Sequence, residues 1–288
     1  MDFNYINILY SFTLGCCIGS FINVVINRLP KNQSIIYPRS KCLNCEYPIR
    51  WFDNIPIFSW ILLSGKCRNC KKYISLTYPL VEILTGFLFI LSTQSSPSIY
   101  QNIPIFYKEH LGFIFIFLCV SLAILDVKHF WLPNSITSIG TLIGLISSIL
   151  ISLVNDQIEF NLIKDSFTAT FLGYFIFYSL SLIGKILFKK PVLGGGDTKL
   201  TGLLGSWLGV KGLLITIWLS FNTAGLFVIF GLIFKKITLN QKIPFGVFLV
   251  LSGLIVWYFG DEKIFDILPI PRKYQNLSFC LHHAKHRQ

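Results

Sequence analysis

The chain has 288 residues, of which 53% are hydrophobic and only 13% charged, with a mean hydropathy of +0.63. A soluble domain carries about 25% charged residues, so this composition excludes soluble, disordered, collagen-like and disulfide-scaffold proteins and puts most of the length in a membrane. The sparse charge is lopsided, 25 Lys and Arg against 13 Asp and Glu for a net +12, and there are eight cysteines.

A membrane-crossing helix needs about 20 mostly apolar residues. Such runs fall at 5–27, 77–94, 108–127, 134–154, 166–188, 212–234 and 244–260. A shorter run, 198–210, follows a Gly-rich turn; read as a span begun within 194–197 it brings the number to eight, with seven as the alternative. No Lys or Arg precedes the first run, which therefore lacks the cationic start of a signal peptide or lipoprotein leader and reads as a retained span. The expected fold class is all-α, a polytopic membrane helix bundle of about eight spans with a small cytoplasmic loop domain between the first two. Residues 1–27 form the first span, 28–76 the loop, 77–260 the remaining bundle and 261–288 a basic tail.

Charge in the connections sets orientation, because short cytoplasmic loops carry excess Lys and Arg. The 28–74 loop holds nine basic residues against Glu46 and Asp53, a net +7, and is placed in the cytoplasm. Alternation then puts Asp126, Lys128 and His129 at a cytoplasmic helix end, and the loop with Asp156, Glu159, Lys164 and Asp165 outside. Lys235, Lys236 and Lys242 fall inside only if 198–234 crosses twice, which favours eight spans and puts both termini outside. The protein is accordingly expected in the inner membrane, multi-pass.

The same loop contains Cys42-Leu-Asn-Cys45 and Cys67-Arg-Asn-Cys70, 21 residues apart. Two CxxC knuckles at this distance can set four thiolates tetrahedrally around a structural Zn²⁺. A reducing cytoplasm disfavours disulfides, and so small a loop needs a metal to fold. Cys16, Cys17 and Cys119 lie in spans and read as apolar filler. Zinc knuckles with basic residues can mark nucleic-acid binding. Here topology already accounts for the charge, and a loop tied at both ends to membrane helices offers little surface, so no nucleic-acid partner is expected. The basic loop faces anionic lipid headgroups instead.

Ionisable residues at the edges of spans are functional candidates. Asp126 closes the run Ile114–Leu125, and Asp197 follows Gly194-Gly195-Gly196. Topology brings both to one membrane face. Two carboxyl groups at one site share out acid and base roles, one activating water and the other polarising or protonating a carbonyl, as peptide hydrolysis requires. The glycines allow a peptide segment to lie close to the carboxylate. The bland alternative is a pair of helix-end carboxylates neutralised by Lys128 and Lys199.

In order along the chain, these residues resemble the bacterial type IV prepilin peptidases, intramembrane aspartic proteases of the GxGD kind. The resemblance runs from Gly19-Ser-Phe-Ile-Asn-Val-Val-Ile-Asn-Arg-Leu-Pro30 through both CxxC pairs, with Ile49-Arg-Trp-Phe-Asp-Asn-Ile-Pro56 between them. It continues with Tyr78-Pro-Leu-Val-Glu-Ile-Leu-Thr-Gly86, Asp126 with Pro133, Gly194-Gly-Gly-Asp-Thr-Lys-Leu200 and Pro244-Phe-Gly246. It implies that Asp126 and Asp197 are the catalytic pair, that Gly194 and Gly196 present Asp197, and that Cys42, Cys45, Cys67 and Cys70 bind zinc. It further implies cleavage of the leader from prepilin or pseudopilin precursors. The new N-terminus would then be methylated from S-adenosyl-L-methionine, in the region of the loop and adjoining helix ends that includes Glu82. The chain departs from the usual pattern at Leu43-Asn44, Asn134 and Val247, none of which removes a catalytic or metal-binding group. His282, His283 and His286 in the tail have no counterpart. Two rivals are a peptidase without methyltransferase activity and a transporter using helix-end aspartates; the transporter leaves the four-cysteine loop without a use.

Overall fold

The computed structural model describes residues 2–93, 104–154, 160–189, 194–236, 238 and 241–267, and among these the regular structure is helical. The first helix, α1 (Asp2–Arg28), leads into the loop, which holds two single-turn 3-10 segments (Leu29–Lys31 and Trp51–Asn54) and the short α2 (Phe58–Leu62). The bundle continues with α3 (Thr77–Thr93), α4 (Ile105–His129), α5 (Asn134–Val154), α6 (Phe160–Phe188), α7 (Gly195–Ile233), α8 (Phe245–Phe259) and α9 (Asp261–Ile267).

Five helices, α1, α4, α5, α6 and α7, are long and apolar enough to cross a membrane; α8 with α9, bent by 101°, makes a sixth candidate, and α3 is a shorter apolar helix. Large apolar side chains such as Leu142, Ile146, Phe171 and Phe175 point outward, as they do toward lipid rather than water. The chain is a multi-pass membrane protein.

Run straight, the 39 residues of α7 would extend about 58 Å, nearly twice the hydrocarbon thickness of about 30 Å. They do not run straight. Gly209, at φ 68° and ψ −178°, breaks the helix in a conformation essentially reserved for glycine. The first arm lies antiparallel to α6: Thr201 Oγ1 donates to the Gly173 carbonyl at 3.1 Å, and Asp165 Oδ2 accepts from the Val210 N–H at 3.4 Å. The second arm returns, so that Phe221 packs on Phe245 of α8 at 5.1 Å between ring centroids and on Phe177 of α6 at 6.2 Å. Thus α7 supplies two arms, and with α1, α3, α4, α5, α6 and α8 there are eight apolar helical arms among the described residues.

Two packed clusters hold them together. Ile22, Val81, Phe89, Phe113 and Leu125 tie α4 to α1 and α3, with Phe89 and Phe113 stacked at 4.3 Å. Phe115, Trp207 and Trp257 join α4, α7 and α8, and the Trp207 indole N–H donates to the Gly140 carbonyl of α5 at 3.0 Å. In lipid such contacts act through close packing and hydrogen bonds, because burial from water is no longer the driving force.

Two boundaries differ from the sequence reading. Helix α6 begins at Phe160, so Lys164 and Asp165 are helical, and Asp165 is drawn in to cap the broken backbone at Val210. The stretch after residue 260 starts with α9, whose Asp261 and Ile264 are buried. Asp156, Glu159, Lys190, Cys280 and the tail histidines lie outside the described residues.

Candidate active site and metal centre

Asp126 sits in the last turn of α4. Phe130 ends that helix in the left-handed conformation, its N–H bonded to the Asp126 carbonyl at 2.9 Å. Asp197 is the third residue of α7, and its carboxylate reaches back to the Gly194 N–H at 3.2 Å, satisfying one of the donors a helix start leaves free. Both aspartates are buried, at 6% and 9% exposure.

Leu132 joins the two halves of the site. A Cβ added at Gly246, in the first turn of α8, would stand 2.7 Å from Asp126 Oδ2 and 3.3 Å from Leu132 Cδ1. One added at Gly196 would meet Leu132 Cβ at 2.9 Å and Cδ1 at 3.1 Å. Glycine at both positions therefore lets α7 and α8 close on the same leucine. The two carboxylates interact electrostatically, and Asp126 also faces the backbone N–H groups of Gly246 and Val247.

Neither aspartate is neutralised by lysine among the described residues. Among the described residues the ion pairs are Lys41–Glu46 and Arg68–Asp53, both in the loop. Lys199 donates instead to the Asn134 side-chain carbonyl. Asp126 Oδ2 has no hydrogen-bond partner. A Cβ at Gly195 would meet nothing within 4 Å, leaving open space beside the Asp197 backbone. Two buried carboxylates without a counter-cation, one with a free oxygen, can hold and activate a water. Sequence reasoning singled out both aspartates and the Pro244-Phe-Gly246 motif but gave that motif no role, and it missed Leu132 altogether. Its one signal was adjacency to Pro133.

The four loop cysteines converge as their spacing predicts. Their Sγ atoms all lie within 4.8 Å of one another, with Cys42–Cys70 at 3.9 Å and Cys45–Cys67 at 4.0 Å. Tetrahedral ligation at a Zn–S distance of 2.3 Å places sulfurs about 3.8 Å apart, so the set is of the right size. Each knuckle is the same local structure, repeated: the bridges Lys41–Pro48 and Lys66–Tyr73, and bonds from Cys42 N–H to Tyr47 O at 3.0 Å and Cys67 N–H to Lys72 O at 2.9 Å. Glu46 and Lys71, each following a second cysteine, take positive φ.

The Tyr47 N–H pulls the Cys45 thiol down to about 6, and the Cys70 N–H pulls Cys67 below its ordinary value. Cys70, in spite of the Lys72 N–H, is pushed up to about 11 by desolvation and its sulfur neighbours. Four thiols this close cannot all lose protons unless a cation takes their place. The donor set fits a metal ion. Beside it, Arg68 forks onto Asp53 at 2.8 and 2.7 Å, holding that carboxyl below its usual range. Glu82 lies buried on α3 at the base of the loop.

Comparison with known proteins agrees with this geometry. Residues 13–96 match the Bacterial Peptidase A24 N-terminal domain, and residues 113–230 match the Type IV leader peptidase family. An Escherichia coli protein named type 4 prepilin-like proteins leader peptide-processing enzyme is 34% identical over 264 residues, covering 85% of this chain and 91% of its own length. The chain belongs to the type IV leader peptidase family. An Aeromonas hydrophila member named prepilin leader peptidase/N-methyltransferase is 32% identical over 90% of the chain and 92% of its own length. A Myxococcus xanthus member of the same name is 35% identical over 72% of the chain, which spans 57% of that longer protein. No solved structure matches.

Proposed function

We propose that this protein is a prepilin leader peptidase and N-methyltransferase of the inner membrane, acting on type IV prepilin or pseudopilin precursors at the cytoplasmic face. The observation that carries the peptidase is the pair Asp126 and Asp197, both buried, interacting with each other and without a counter-cation among the described residues. One carboxylate takes a proton from water as the water oxygen attacks the scissile carbonyl, and the other carboxyl group, protonated, gives its proton to the leaving amine as the C–N bond breaks. Asp126 Oδ2, which has no hydrogen-bond partner among the described residues, is the oxygen free to hold that water. The open backbone beside Gly195 receives the extended peptide, and the precursor's hydrophobic helix stays in the bilayer.

The 28–76 loop is the methyltransferase region and 77–260 the peptidase bundle. Cys42, Cys45, Cys67 and Cys70 hold a structural zinc that folds the loop. S-adenosyl-L-methionine, when bound, supplies an electrophilic methyl group for the amine that cleavage exposes. The basic loop lies against anionic headgroups and takes no nucleic-acid partner. Co-expression with a prepilin, followed by mass spectrometry, tests the reading. The wild type removes the leader and adds one methyl group. Asp126→Asn and Asp197→Asn each insert normally and cleave nothing; cleavage by either variant would overturn the two-aspartate mechanism.

A further inference from the structure

A cavity of about 640 Å³ lies between the loop and the ends of α1 and α3, away from the aspartates. This is the size of pockets that enclose a small ligand, about 300–1,000 Å³. Aromatic side chains of Tyr37, Trp60 and Tyr78 line it, with charge of both signs from Asp53 and Arg28. Its base is rigid: Asn23 donates to the Tyr78 carbonyl at 3.1 Å and Asn27 to the Tyr78 hydroxyl at 3.2 Å, locking α1 to α3.

One wall is under backbone strain. Ile57, which also lines the cavity, has φ 63° and ψ −56°, and the Phe58 N–H bonds to the Pro56 carbonyl across it at 2.6 Å. This is a γ-turn of the rare, strained hand, centred on a β-branched residue for which positive φ is a genuine outlier. Such strain persists only where the surroundings over-determine it, and it clusters at ligand sites. What fixes this turn is Glu82, whose Oε2 accepts the Ile57 N–H at 2.7 Å from 25 residues further along the chain. Glu82 is 7% exposed and in no ion pair found among the described residues. A carboxylate buried at the membrane edge, uncompensated by a cation, needs such a purpose.

We propose that Glu82 is a positioning residue for methyl transfer: it latches the Ile57 turn and so shapes the cavity that receives the adenosyl methyl donor. This inference rests on the methyltransferase reading above. The aromatic walls suit an adenine ring, and the mixed charge suits a zwitterionic amino-acid end. In the reaction the substrate amine gains the methyl group as the donor's S–CH₃ bond breaks to leave a neutral thioether, and the amine's proton passes to water. Glu82 does not touch the transferred group.

The test uses the full-length protein and a prepilin, scoring cleavage and methylation separately. Glu82→Ala raises the KM for S-adenosyl-L-methionine about tenfold or more, while cleavage rate and bound zinc stay at wild-type levels. Glu82→Gln, whose amide oxygen still accepts the Ile57 N–H, restores most of the loss. Wild-type KM in Glu82→Ala, equal damage in Glu82→Gln, or parallel loss of cleavage and zinc would each overturn the latch. A second measurement needs no variant: ultraviolet cross-linking of radiolabelled S-adenosyl-L-methionine to the wild type labels Tyr37, Trp60 or Tyr78. Label elsewhere overturns this inference alone, whereas a wild type that neither methylates nor takes up label overturns the methyltransferase reading with it.

Discussion

The loop and the bundle of this protein are held together by opposite means. The loop has little core: Ile36, Trp51 and Leu62 are all exposed. It is ordered by a few groups with directional chemistry, the four cysteines, the Arg68–Asp53 fork and the Glu82–Ile57 latch. The bundle has few such groups and is ordered by proximity, through glycines that let neighbours touch at Gly196, Gly246 and Gly173. Two regions built this way fail differently. The loop is broken by removing a ligand and the bundle by adding a carbon.

The largest effect expected from that contrast is at Gly246. Gly246→Val puts branched carbon where even a lone added Cβ would stand 2.7 Å from Asp126 Oδ2, and a displacement of about 1 Å can cost a hundredfold in rate. Cleavage should fall about a hundredfold or more, with helix content and bound zinc unchanged; a variant cleaving at the wild-type rate would show that Asp126 is not held by this approach. Next is Cys67→Ser combined with Cys70→Ser. Metal analysis should find no bound zinc and mass spectrometry no methylation, while most leader cleavage survives. Equal loss of both reactions would mean that the two regions act as one unit. The smallest effect is at Gly209→Ala, where a φ of 68° strains any residue with a Cβ. It should lower stability by about 1–3 kcal/mol, read as a drop in Tm in detergent, with the KM for S-adenosyl-L-methionine unmoved.

How much was legible in advance follows the same division. Asp126 and Asp197 could be found because ionisable residues are rare in apolar runs, and the cysteines because metal knuckles are local and keep their spacing. The two arms of α7 were legible in the short apolar run 198–210, set apart from the next run at Lys211-Gly212, and in Lys235, Lys236 and Lys242 beyond the second arm. The cap on Val210 was not, because Asp165 and Val210 are 45 residues apart and no local pattern links them. Leu132 was missed for the same reason: a single leucine beside Pro133 carries no mark of the two glycines that close on it.

By itself, then, the sequence determined the membrane, the four-cysteine cluster and the two span-edge carboxylates that stand out as candidates, since each depends on composition or short spacing. Only the tertiary structure decided that Lys199 turns to Asn134, that Gly246 meets Asp126, and that Glu82 holds the turn at Ile57. Those are contacts between distant segments, set by which helix faces pack together.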